Sequence, residues 1–542
     1  MISRVHSFVL QGIDAVACEI EADISAIGMP KTTIVGLPDA AVKEAAERVR
    51  TAMHNTGHFW PQSRVTINLA PADLRKEGPV FDLPVAIAML LADGTITPPA
   101  QTASLRAELA AARGPEPTAE ATLAESAPET APCEPSARPD PDEWLIAGEL
   151  ALDGRLRPVR GVISLALLAR RLGRRGVIVP SSNAAEAAVV DGIEVRSAGH
   201  LAEVVGFFNG LRDLERTPTL DIETLIAVAT TEIDFADVRG QEAAKRAMTI
   251  AAAGSHNILM IGPAGTGKTM MARALPGILP PLGREEALEV TRIYSSIGAL
   301  PPGSPVVTRR PVRTPHHTAS VPALVGGGSI PRPGEVSLAH RGVLFLDELP
   351  EFSRFVLESL REPLEDGHVT IARAHGSIRF PARLMLVAAM NPTQQGGGRV
   401  ADLARDGGDR YLARLSGPLV DRIDIHVEVA TVPFRQLAGA RAGTDSATMR
   451  GRVLATRRRQ SGRQGRTPNG ELSGRALDRH ARLDEEGRRM IGSAMTELGL
   501  SARAYDKVRR IARTVADLDA SEEIRPEHVA EAIQYRLLDR SR

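Results

Sequence analysis

The sequence NILMIGPAGTGKT, residues Asn257–Thr269, decides the fold of the chain around it. It contains a short apolar run, Ile258–Ile261, that is long enough for a buried strand. The residues that follow match the phosphate-loop pattern G-x-x-x-x-G-K-S/T at every fixed position. Glycines let such a loop curl so that its N–H groups point at phosphate oxygens, Lys268 supplies a point charge, and the Thr269 hydroxyl can ligate Mg²⁺. The pattern therefore predicts a site for ATP, with Mg²⁺ as cofactor, at the start of a helix. The predicted nucleotide-binding residues are Gly262, Pro263, Ala264, Gly265, Thr266, Gly267, Lys268 and Thr269.

Two later apolar runs end in polar residues that suit the same chemistry. Val343–Leu349 reads VLFLDEL, a buried strand that ends in two carboxylates. We expect Asp347 to hold Mg²⁺ and Glu348 to orient or deprotonate the attacking water. Leu384–Met390 is a third apolar run, and it ends at Asn391. An amide at that place can sense the γ-phosphate and help to place water, although an asparagine before proline is also a frequent turn residue.

Composition limits the classes of protein to which the chain can belong. Its 542 residues are too many for one hydrophobic core, so we expect about two to four domains. Lys+Arg and Asp+Glu both number 66, so any nucleic-acid site must be a local basic patch. The two cysteines, Cys18 and Cys133, are too few for a zinc cluster or a secreted disulfide scaffold. We recognise no signal peptide and no apolar run of membrane-spanning length, so we expect a cytoplasmic protein without membrane association.

The order of patterns along the chain predicts its domains. Residues 1–210 contain strand-like and helix-like runs, such as Arg64–Leu69 and Asp39–Met53, and are expected to form an α+β domain. A Pro-, Ala- and Glu-rich stretch, residues 98–143, interrupts that domain and is expected to be disordered. Residues 211–231 are expected to form a linker.

The last part of the chain, residues 431–542, predicts an all-helical bundle. Within it, Arg452–Arg466 is strongly basic and poor in aromatic residues. This segment would either bind a nucleic-acid backbone without sequence preference or form a solvated helix end and loop.

Three stretches carry a resemblance to a known family: Leu69–Leu90, Gly148–Val162 and Pro311–Glu351. They resemble the magnesium-chelatase-like AAA+ ATPases, the ComM/YifB family. The resemblance implies a multidomain α/β fold with a Lon-protease-like α+β N-terminal domain. It also implies a P-loop AAA+ α/β core with a parallel sheet over residues 232–430 and a C-terminal helical lid over residues 431–542.

The sequence departs from related proteins in two places. In Lon-type peptidases a serine follows a Gly-Pro pair and a lysine follows a Gly-Gly pair. Here Val80 follows Gly78 and Pro79, and the second motif, Arg160–Ile163, contains no lysine. Without a nucleophile or a base we expect no peptidase activity, but a structural or interaction domain that can bind a protein partner. The family also typically has a cysteine-rich loop after the sensor asparagine, whereas Pro392–Gly408 contains no cysteine, so we expect no metal-stabilised structure there.

The resemblance assigns roles to two arginines. In AAA+ rings an arginine at the place of Arg422 reaches the nucleotide of the neighbouring subunit and stabilises phosphoryl transfer there. The alternative is an intrachain salt bridge with Asp421 or Asp424. Arg503 matches the second sensor arginine, which closes the lid on the γ-phosphate, and the alternative is an ordinary arginine on a helix surface. A homo-oligomeric ring, expected to be a hexamer, follows from Arg422 together with the family likeness.

A predicted β-hairpin, Gly367–Ala382, lies before the third apolar strand. In ring translocases such a hairpin projects into the central pore. Arg373 and Arg379 are therefore candidates for contact with a DNA phosphate backbone, although solvated hairpin arginines fit the pattern equally well. The adjacent His316 and His317 suit a structural role or a pore-side contact better than a metal site, because neighbouring residues on a strand point in opposite directions.

These observations together predict an ATP-hydrolysing AAA+ ring motor. ComM-like members of the family act as DNA helicases that promote branch migration during natural transformation, so the resemblance implies single-stranded or branched DNA as the partner. A protein-remodelling ATPase and a metal-chelatase-type motor are the alternatives. The Lon-like domain disfavours the chelatase alternative, because the true chelatase motor subunit lacks that domain. The aromatic content of 3% leaves few stacking platforms for single strands, which mildly disfavours DNA.

Overall fold

The computed structural model describes most of the chain and divides it into two compact units. The first unit consists of Met1–Ile222 and Thr291–Val306, and the second of Glu223–Val290 and Val307–Arg542. Most of the stretch that we expected to be disordered, and most of Pro392–Gly408, lie outside the described residues. The described residues are 2–25, 29–99, 138–227, 233–301, 303–328, 330–373, 376–393, 415, 417–433, 443–499, 501–536 and 538.

The first unit contains an eight-stranded mixed sheet with the strand order β10-β9-β8-β5-β1-β2-β4-β3, and a separate ribbon of β6 and β7. Its strands are β1 (Ile2–Gln11), β2 (Asp14–Ser25), β3 (Lys31–Val35), β4 (Arg64–Ala70), β5 (Trp144–Ile146), β6 (Glu149–Leu150), β7 (Leu156–Arg157), β8 (Gly176–Pro180), β9 (Glu194–Ala198) and β10 (Glu215–Thr217). The helices in this part of the chain are α1 (Ala40–Asn55), α2 (Asp82–Ala92), α3 (Val162–Arg171), α4 (Ala184–Ala187), α5 (Leu201–Phe208) and α6 (Ile222–Ala227).

Helix α2 forms the centre of the core of the first unit. Its sequence, DLPVAIAMLLA, is almost wholly apolar, and every residue of the helix is buried against neighbours that include β1 and β2. Asp82 at its start accepts hydrogen bonds of 3.0 and 2.9 Å from Arg48 of α1. Burial raises the pKa of Asp82 to about 6, and the hydrogen bonds from Arg48 oppose that rise. The ion pair thus compensates part of the cost of a buried carboxylate and joins α1 to α2.

The second unit contains a five-stranded parallel sheet with the strand order β12-β15-β18-β11-β19, and two hairpins, β13-β14 and β16-β17. Its strands are β11 (Ile258–Ile261), β12 (Val312–Arg313), β13 (Gly326–Gly327), β14 (Arg332–Pro333), β15 (Val343–Leu346), β16 (His368–Arg373), β17 (Gly376–Pro381), β18 (Met385–Met390) and β19 (Ile425–Glu428). The three central strands are buried at every residue, as their continuous apolar sequences predict for a parallel sheet covered on both faces.

The described helices from Glu242 onward follow in chain order. They are α7 (Glu242–Gly254), α8 (Lys268–Ala274), α9 (Arg284–Ile297), α10 (Val321–Val325), α11 (Glu335–Leu338), α12 (Arg354–Ser359), α13 (Arg361–Asp366), α14 (Gly417–Val420), α15 (Ser446–Gln464), α16 (Gly474–His480), α17 (Glu485–Leu498), α18 (Ala502–Leu518) and α19 (Pro526–Gln534). Helices α15 and α18 pack against α7, so the C-terminal helices share one apolar cluster with the parallel sheet.

The boundary between the units differs from the expected one. Residues 211–231 were expected to form a linker, but β10 lies within that range and pairs with β9 as an antiparallel edge strand. This pairing covers backbone groups that β9 would otherwise expose at the edge of the sheet. In addition, Thr291–Val306 groups with the first unit, although its sequence position is inside the expected ATPase core. Spatial contacts, which do not follow chain order, decide both differences.

The structure confirms the mixed α/β class, with a parallel sheet and many helices. The Lon-like character of the first unit and the lid role of the C-terminal helices stay predictions. Among the described residues, no helix combines the length and the apolar character that crossing a bilayer would require.

Candidate nucleotide-binding site

The predicted phosphate loop, residues Gly262–Thr269, leaves the carboxyl end of β11 and runs into α8. Gly265 and Gly267 have φ values of 78° and 90°, a left-handed conformation that favours glycine. At Gly262, an added Cβ would lie 2.1 Å from the Val429 carbonyl oxygen. The backbone therefore requires glycine at the positions where the motif has it.

The Lys268 ammonium is buried within the loop and bound by neutral oxygens. It donates hydrogen bonds of 2.6 and 2.8 Å to the carbonyl oxygens of Gly262 and Pro263, and one of 3.2 Å to Asn391 Oδ1. Burial lowers the pKa of Lys268, and the negative charge of Asp347 opposes that shift. Because the three acceptors carry no formal charge, they hold the ammonium in place and leave its positive charge available to a phosphate.

The two predicted Mg²⁺ ligands are in direct contact. The Thr269 hydroxyl donates a 2.8 Å hydrogen bond to Asp347 Oδ2, while Asp347 Oδ1 accepts from the Glu348 backbone N–H at 3.0 Å. In the described residues, no group of three or more His, Cys, Asp or Glu side chains could hold a metal ion. Mg²⁺ in a nucleotide site usually takes one or two protein oxygens and completes its shell with phosphate oxygens and waters. The hydroxyl and carboxylate oxygens present are therefore suitable ligands.

Strand order explains why these residues meet. Lys268 follows β11, Asn391 follows β18 and Asp347 follows β15, and these three parallel strands are consecutive neighbours in the sheet. The carboxyl ends of parallel strands lie at one edge, where ligands of open α/β sheets bind. The sheet thus brings together side chains that come from three distant segments of the sequence.

The Glu348 carboxylate contacts a different part of the chain from the Asp347 carboxylate. Its carboxylate Oε2 lies 3.1 Å from His317 Nδ1, and the His317 ring packs edge-on against Phe352 with 6.4 Å between ring centroids. His317 lies beyond the end of β12, which is the edge strand beside β15. Sequence reasoning assigned His317 no partner, because nothing local links it to a carboxylate 31 positions later. The backbone of Glu348 is left-handed, with φ 52° and ψ 47°.

The two predicted arginines lie near each other. Arg422, whose side chain is 9% exposed, forms an ion pair with Glu365 and donates a 2.5 Å hydrogen bond to the Pro418 carbonyl oxygen. The partner is thus neither Asp421 nor Asp424, the two carboxylates that we considered as intrachain alternatives. Arg503 lies 3.7 Å from Asp421 and has a 69% exposed side chain.

Two further arginines lie close enough to Arg422 to affect its charge. Burial, and then the charges of Arg361 and Arg503, lower the pKa of Arg422. The guanidinium groups of Arg361 and Arg503 therefore each repel that of Arg422, while Glu365 pairs with Arg422 and Asp421 lies near Arg503. Such a cluster is suited to an additional anion.

The predicted hairpin is present as β16 and β17, paired in antiparallel register. Arg373 is exposed and donates a 3.1 Å hydrogen bond to the Gly328 carbonyl oxygen, beside the β13-β14 hairpin. Arg379 is also exposed, and its Nη2 lies 2.6 Å from His368 Nε2. Both arginines are thus at the surface, as contact with a polymer backbone would require.

Several arginines of the basic segment Arg452–Arg466 form hydrogen bonds within the protein, while Arg452, Arg458, Arg459 and Arg466 are exposed. Arg463 donates to both oxygens of the buried Asp517 carboxylate at 2.6 and 2.9 Å, and Arg459 donates to the Asp517 carbonyl oxygen at 3.0 Å. Arg457 donates to Ala252 and Ser255, and burial lowers its pKa to about 10. These arginines join α15 to α18 and α7. This structural role differs from the two that the sequence suggested, which were contact with a nucleic-acid backbone and a solvated helix end.

Gln241 also contacts the phosphate loop. Its side-chain amide donates hydrogen bonds of 3.3 and 2.6 Å to the carbonyl oxygens of Thr266 and Ala430. It therefore connects the phosphate loop to the segment after β19. Its φ value of 59°, which is uncommon for a residue other than glycine, is a backbone property that a single sequence does not reveal.

Comparison with family models covers most of the chain. The model described as magnesium chelatase, subunit ChlI, matches residues 234–437, and its C-terminal counterpart matches residues 443–536. A third model, subunit ChlI of Mg-chelatase, matches residues 20–122 and 130–183. The chain is also 42% identical to the uncharacterized protein YifB of Salmonella typhimurium, over 99% of this chain and 97% of the relative. The chain belongs to the magnesium-chelatase-like ComM/YifB family.

A second ComM/YifB relative has a more informative name. The chain is 41% identical to the competence protein ComM of Haemophilus influenzae, over 99% of this chain and 97% of that protein. Similarity to the magnesium-chelatase 38 kDa subunit of Rhodobacter capsulatus is lower, at 30% identity over 30% of this chain and 50% of that subunit. The ComM/YifB relatives thus match this chain from one end to the other. The resemblance expected from the sequence is confirmed.

Proposed function

We propose that this member of the ComM/YifB family binds ATP with Mg²⁺ and hydrolyses it. The observation that carries the proposal is the meeting of Lys268, Thr269, Asp347 and Asn391 at one edge of the parallel sheet. A buried ammonium, two hard oxygen ligands and an amide are the groups that hold a triphosphate and its metal ion. The family membership supports the same function, because the family resembles the AAA+ ATPases and the matching models describe subunits of magnesium chelatase.

Each residue has a proposed role in the reaction. The loop amides and Lys268 hold the β- and γ-phosphates, and the Asn391 amide faces the γ-phosphate and helps to place water. Mg²⁺, held by Thr269 and Asp347, would neutralise charge on the phosphate oxygens when bound. Glu348 orients or deprotonates the attacking water.

We further propose that the chain works as a homo-oligomeric ring, a hexamer, in which neighbouring subunits complete each nucleotide site. Arg422 and Arg503 lie near each other beside Asp421, so both can serve one anion. In this proposal that anion is the nucleotide of the adjacent subunit, and Arg422 leaves Glu365 to reach it. An arginine supplied in this way stabilises the charge of the transition state.

DNA is the proposed substrate of the motor. The name of the competence relative supports a role connected with DNA, and the exposed Arg373 and Arg379 offer two charges to a phosphate backbone. We propose that hydrolysis drives movement along single-stranded or branched DNA, with branch migration as the outcome. In this proposal the first unit is a Lon-like domain without peptidase activity that binds a protein partner.

One experiment tests both levels of the proposal. The purified chain is assayed for ATP hydrolysis alone and with forked DNA, single strands, duplex and an unfolded protein. Hydrolysis that forked DNA or single strands stimulate supports the DNA motor. Stimulation by unfolded protein alone would replace it with a protein-remodelling ATPase. A sample that never hydrolyses ATP would contradict the proposed activity itself.

A further inference from the structure

We propose that Lys507 is a positioning residue that holds the backbone around Arg422 and thereby keeps Arg422 beside Arg503. This inference rests on the proposed function, in which Arg422 reaches the nucleotide of a neighbouring subunit, and it names the residue that sets the position of that arginine. Neither the sequence motifs nor the proposed chemistry gives Lys507 a role of its own.

The Lys507 ammonium converges on the loop that connects α14 to β19. Its Nζ donates hydrogen bonds to the carbonyl oxygens of Asp421 and Ile423, the second at 3.0 Å. These two residues flank Arg422 in the chain. The same Nζ lies 3.6 Å from Asp424 Oδ1. Because an ammonium carries three N–H groups, a single side chain can hold the backbone on both sides of Arg422.

The other carbonyl groups of this loop are held as well. Asn257 Nδ2 donates a 2.9 Å hydrogen bond to the Arg422 carbonyl oxygen. Arg536 Nη1 donates to the carbonyl oxygens of Ile423 and Asp424 at 2.8 and 3.0 Å. Together with the bonds from the ammonium, these contacts give every carbonyl group of the loop a donor. The backbone that carries the Arg422 side chain is therefore fixed at each residue.

Lys507 and Asp424 are both buried. Burial opposes ionisation of Asp424, but the contact with His256 and the charge of Lys507 outweigh it and lower the pKa of that carboxyl. The ammonium thus has a partner of opposite charge. Since an apolar side chain could fill such a space without the cost of burying a charge, Lys507 contributes a defined geometry more than it contributes stability.

Lys507 also links Arg422 to Arg503. Arg503 and Lys507 lie one turn apart on α18, so their side chains share one face of that helix. Arg503 Nη1 lies 3.7 Å from Asp421 Oδ2. Burial and the charges of Arg361 and Arg503 lower the pKa of Arg422, so these guanidinium groups repel one another. A separate contact must therefore hold the two segments together, and the bonds from Lys507 provide it.

The position of the loop matters for the proposed chemistry. A guanidinium that stabilises phosphoryl transfer has to lie within about 0.5 Å of its productive place, and a displacement of about 1 Å can lower a rate by about 100-fold. Arg422 has a long side chain, so its reach into a neighbouring subunit depends on where its backbone is held. Loss of the Lys507 contacts should therefore reduce turnover without removing any group that touches the phosphates.

The first test is Lys507→Met in the full chain, which keeps an unbranched side chain but removes the charge. The kcat for ATP should fall about 100-fold, while ATP affinity stays within about twofold because the phosphate loop is unchanged. Lys507→Arg retains a cation with several N–H donors and should bring kcat to within about fivefold of the wild type. Arg510→Met is the matched control, because it removes a cation of the same helix that donates a 2.7 Å hydrogen bond to the Leu472 carbonyl oxygen. It should leave kcat within about twofold.

A second comparison separates positioning from loss of the fold. Lys507→Met leaves the buried Asp424 carboxylate with one cation fewer, and adding Asp424→Asn removes that charge. The double variant should melt near the wild-type temperature and remain as slow as Lys507→Met, whereas a wild-type rate would assign the defect to the carboxylate. In an Arg422→Ala background, Lys507→Met should lower kcat by less than about twofold, because the arginine that it positions is gone.

Mixing of subunits gives a readout that a merely structural role would not move. Lys507→Met mixed with Glu348→Gln should recover hydrolysis. At a mixed interface the Lys507→Met subunit supplies an intact phosphate loop and Glu348, and the Glu348→Gln neighbour supplies an Arg422 that Lys507 still holds. A Lys507→Met subunit with a damaged core could not supply its own half of that site.

The outcomes distinguish this proposal from the one on which it rests. A wild-type kcat in Lys507→Met, with Arg422→Ala inactive, contradicts the positioning role and leaves the proposed function of Arg422 standing. An equal loss in Arg510→Met, a Lys507→Arg variant as slow as Lys507→Met, or no recovery on mixing assigns the effect to the packing of α18 and also overturns the proposal. An Arg422→Ala variant that hydrolyses ATP like the wild type contradicts both.

Discussion

The Thr269 hydroxyl donates a 2.8 Å hydrogen bond to the Asp347 carboxylate, across 78 positions of the sequence. The contact joins the phosphate loop after β11 to the end of β15, and β18 lies between these two strands. The two oxygens that we propose as Mg²⁺ ligands are therefore adjacent in the fold, which lowers the cost of ordering them around a metal ion.

Loss of the buried ammonium should abolish nucleotide binding. We expect Lys268→Ala to weaken ATP binding by about 100-fold or more, because the charge that meets the outer phosphates is removed from a buried position. Isothermal titration with a slowly hydrolysed ATP analogue measures the effect. Arg273→Ala removes an exposed charge from the same helix, and it should bind ATP like the wild type. Equal affinities in the two variants would show that Lys268 does not hold the phosphates.

Glu348→Gln should separate binding from turnover. The amide keeps the size of the side chain but cannot take up a proton, so we expect ATP affinity within about twofold and kcat at least ~100-fold lower. Equilibrium binding and steady-state hydrolysis on the same preparation give the two numbers. Unchanged turnover in this variant would refute the water-activating role.

Arg422 should act on the nucleotide of a neighbouring subunit. Arg422→Ala should lower kcat by roughly 10³-fold, which is the smaller end of the range for such arginines. Mixing Arg422→Ala with Glu348→Gln should restore hydrolysis. At a mixed interface, the Arg422→Ala subunit supplies an intact phosphate loop and Glu348, and the neighbouring Glu348→Gln subunit supplies an intact Arg422. If Arg422 served only its own chain, no mixture of the two inactive variants would recover activity.

The hairpin arginines should govern DNA affinity without governing basal hydrolysis. We expect the Arg373→Ala, Arg379→Ala double variant to bind DNA more weakly and to reduce the slope of log affinity against log salt by about 2, one for each lost phosphate contact. Fluorescence anisotropy over a salt series measures this slope. Arg452→Ala with Arg458→Ala, two exposed arginines of α15, provides a control of equal charge. The hairpin assignment would be wrong if both pairs changed the slope alike.

The Arg48–Asp82 pair predicts a pH-dependent stability of the first unit. Arg48→Ala leaves the Asp82 carboxylate buried without its partner, which should cost about 3–5 kcal/mol near pH 8. Burial already raises the pKa of Asp82 to about 6, and removing Arg48 should raise it further above the ordinary value of 3.8. The folded state then binds a proton more readily than the unfolded state, so the loss should be largest above that pKa and should shrink as the pH falls toward 5.

Both tryptophans of the chain, Trp60 and Trp144, lie in the first unit, so their fluorescence reports this unfolding selectively. Denaturant titrations at pH 8 and pH 5 give the comparison. Adding Asp82→Asn to Arg48→Ala removes the titrating group. The free energies of unfolding of this double variant at pH 8 and pH 5 should then agree. A destabilisation by Arg48→Ala that is the same at both pH values would contradict a raised pKa of Asp82.

Features that depend on residues close together in the chain were predictable from the sequence, and contacts between distant segments were not. The strands before Gly262, Asp347 and Asn391 were predictable because each is a continuous apolar run, and such runs must be buried. Their meeting was predictable only through the general rule that ligands bind at the carboxyl edge of a parallel sheet. The partner of Arg422 was not predictable, since Glu365 lies in α13, far from Arg422 in the chain, and no local spacing relates the two.

The basic segment of α15 also has a partner that the sequence did not predict. Its run of arginines suggested either a nucleic-acid contact or a solvated helix end, and both expectations treat the charges as exposed. Instead, the partly buried Arg463 binds the carboxylate of Asp517, a residue more than 50 positions away that is 1% exposed. A charged side chain that is buried requires a partner of opposite charge. The packing of the helices decides whether that partner is a ligand or another part of the chain.

The chain alone therefore determined the phosphate loop, the polar residues that end its neighbouring strands and the family, because each depends on residue type at short and regular spacing. The tertiary structure decided which charges face the site and which are bound elsewhere: His317 to Glu348, Glu365 to Arg422 and Asp517 to the arginines of α15. Such pairs form between distant segments, and their geometry arises only when sheet order and helix packing place the segments side by side. What each carboxylate and guanidinium can do thus depends on neighbours that the linear sequence does not specify.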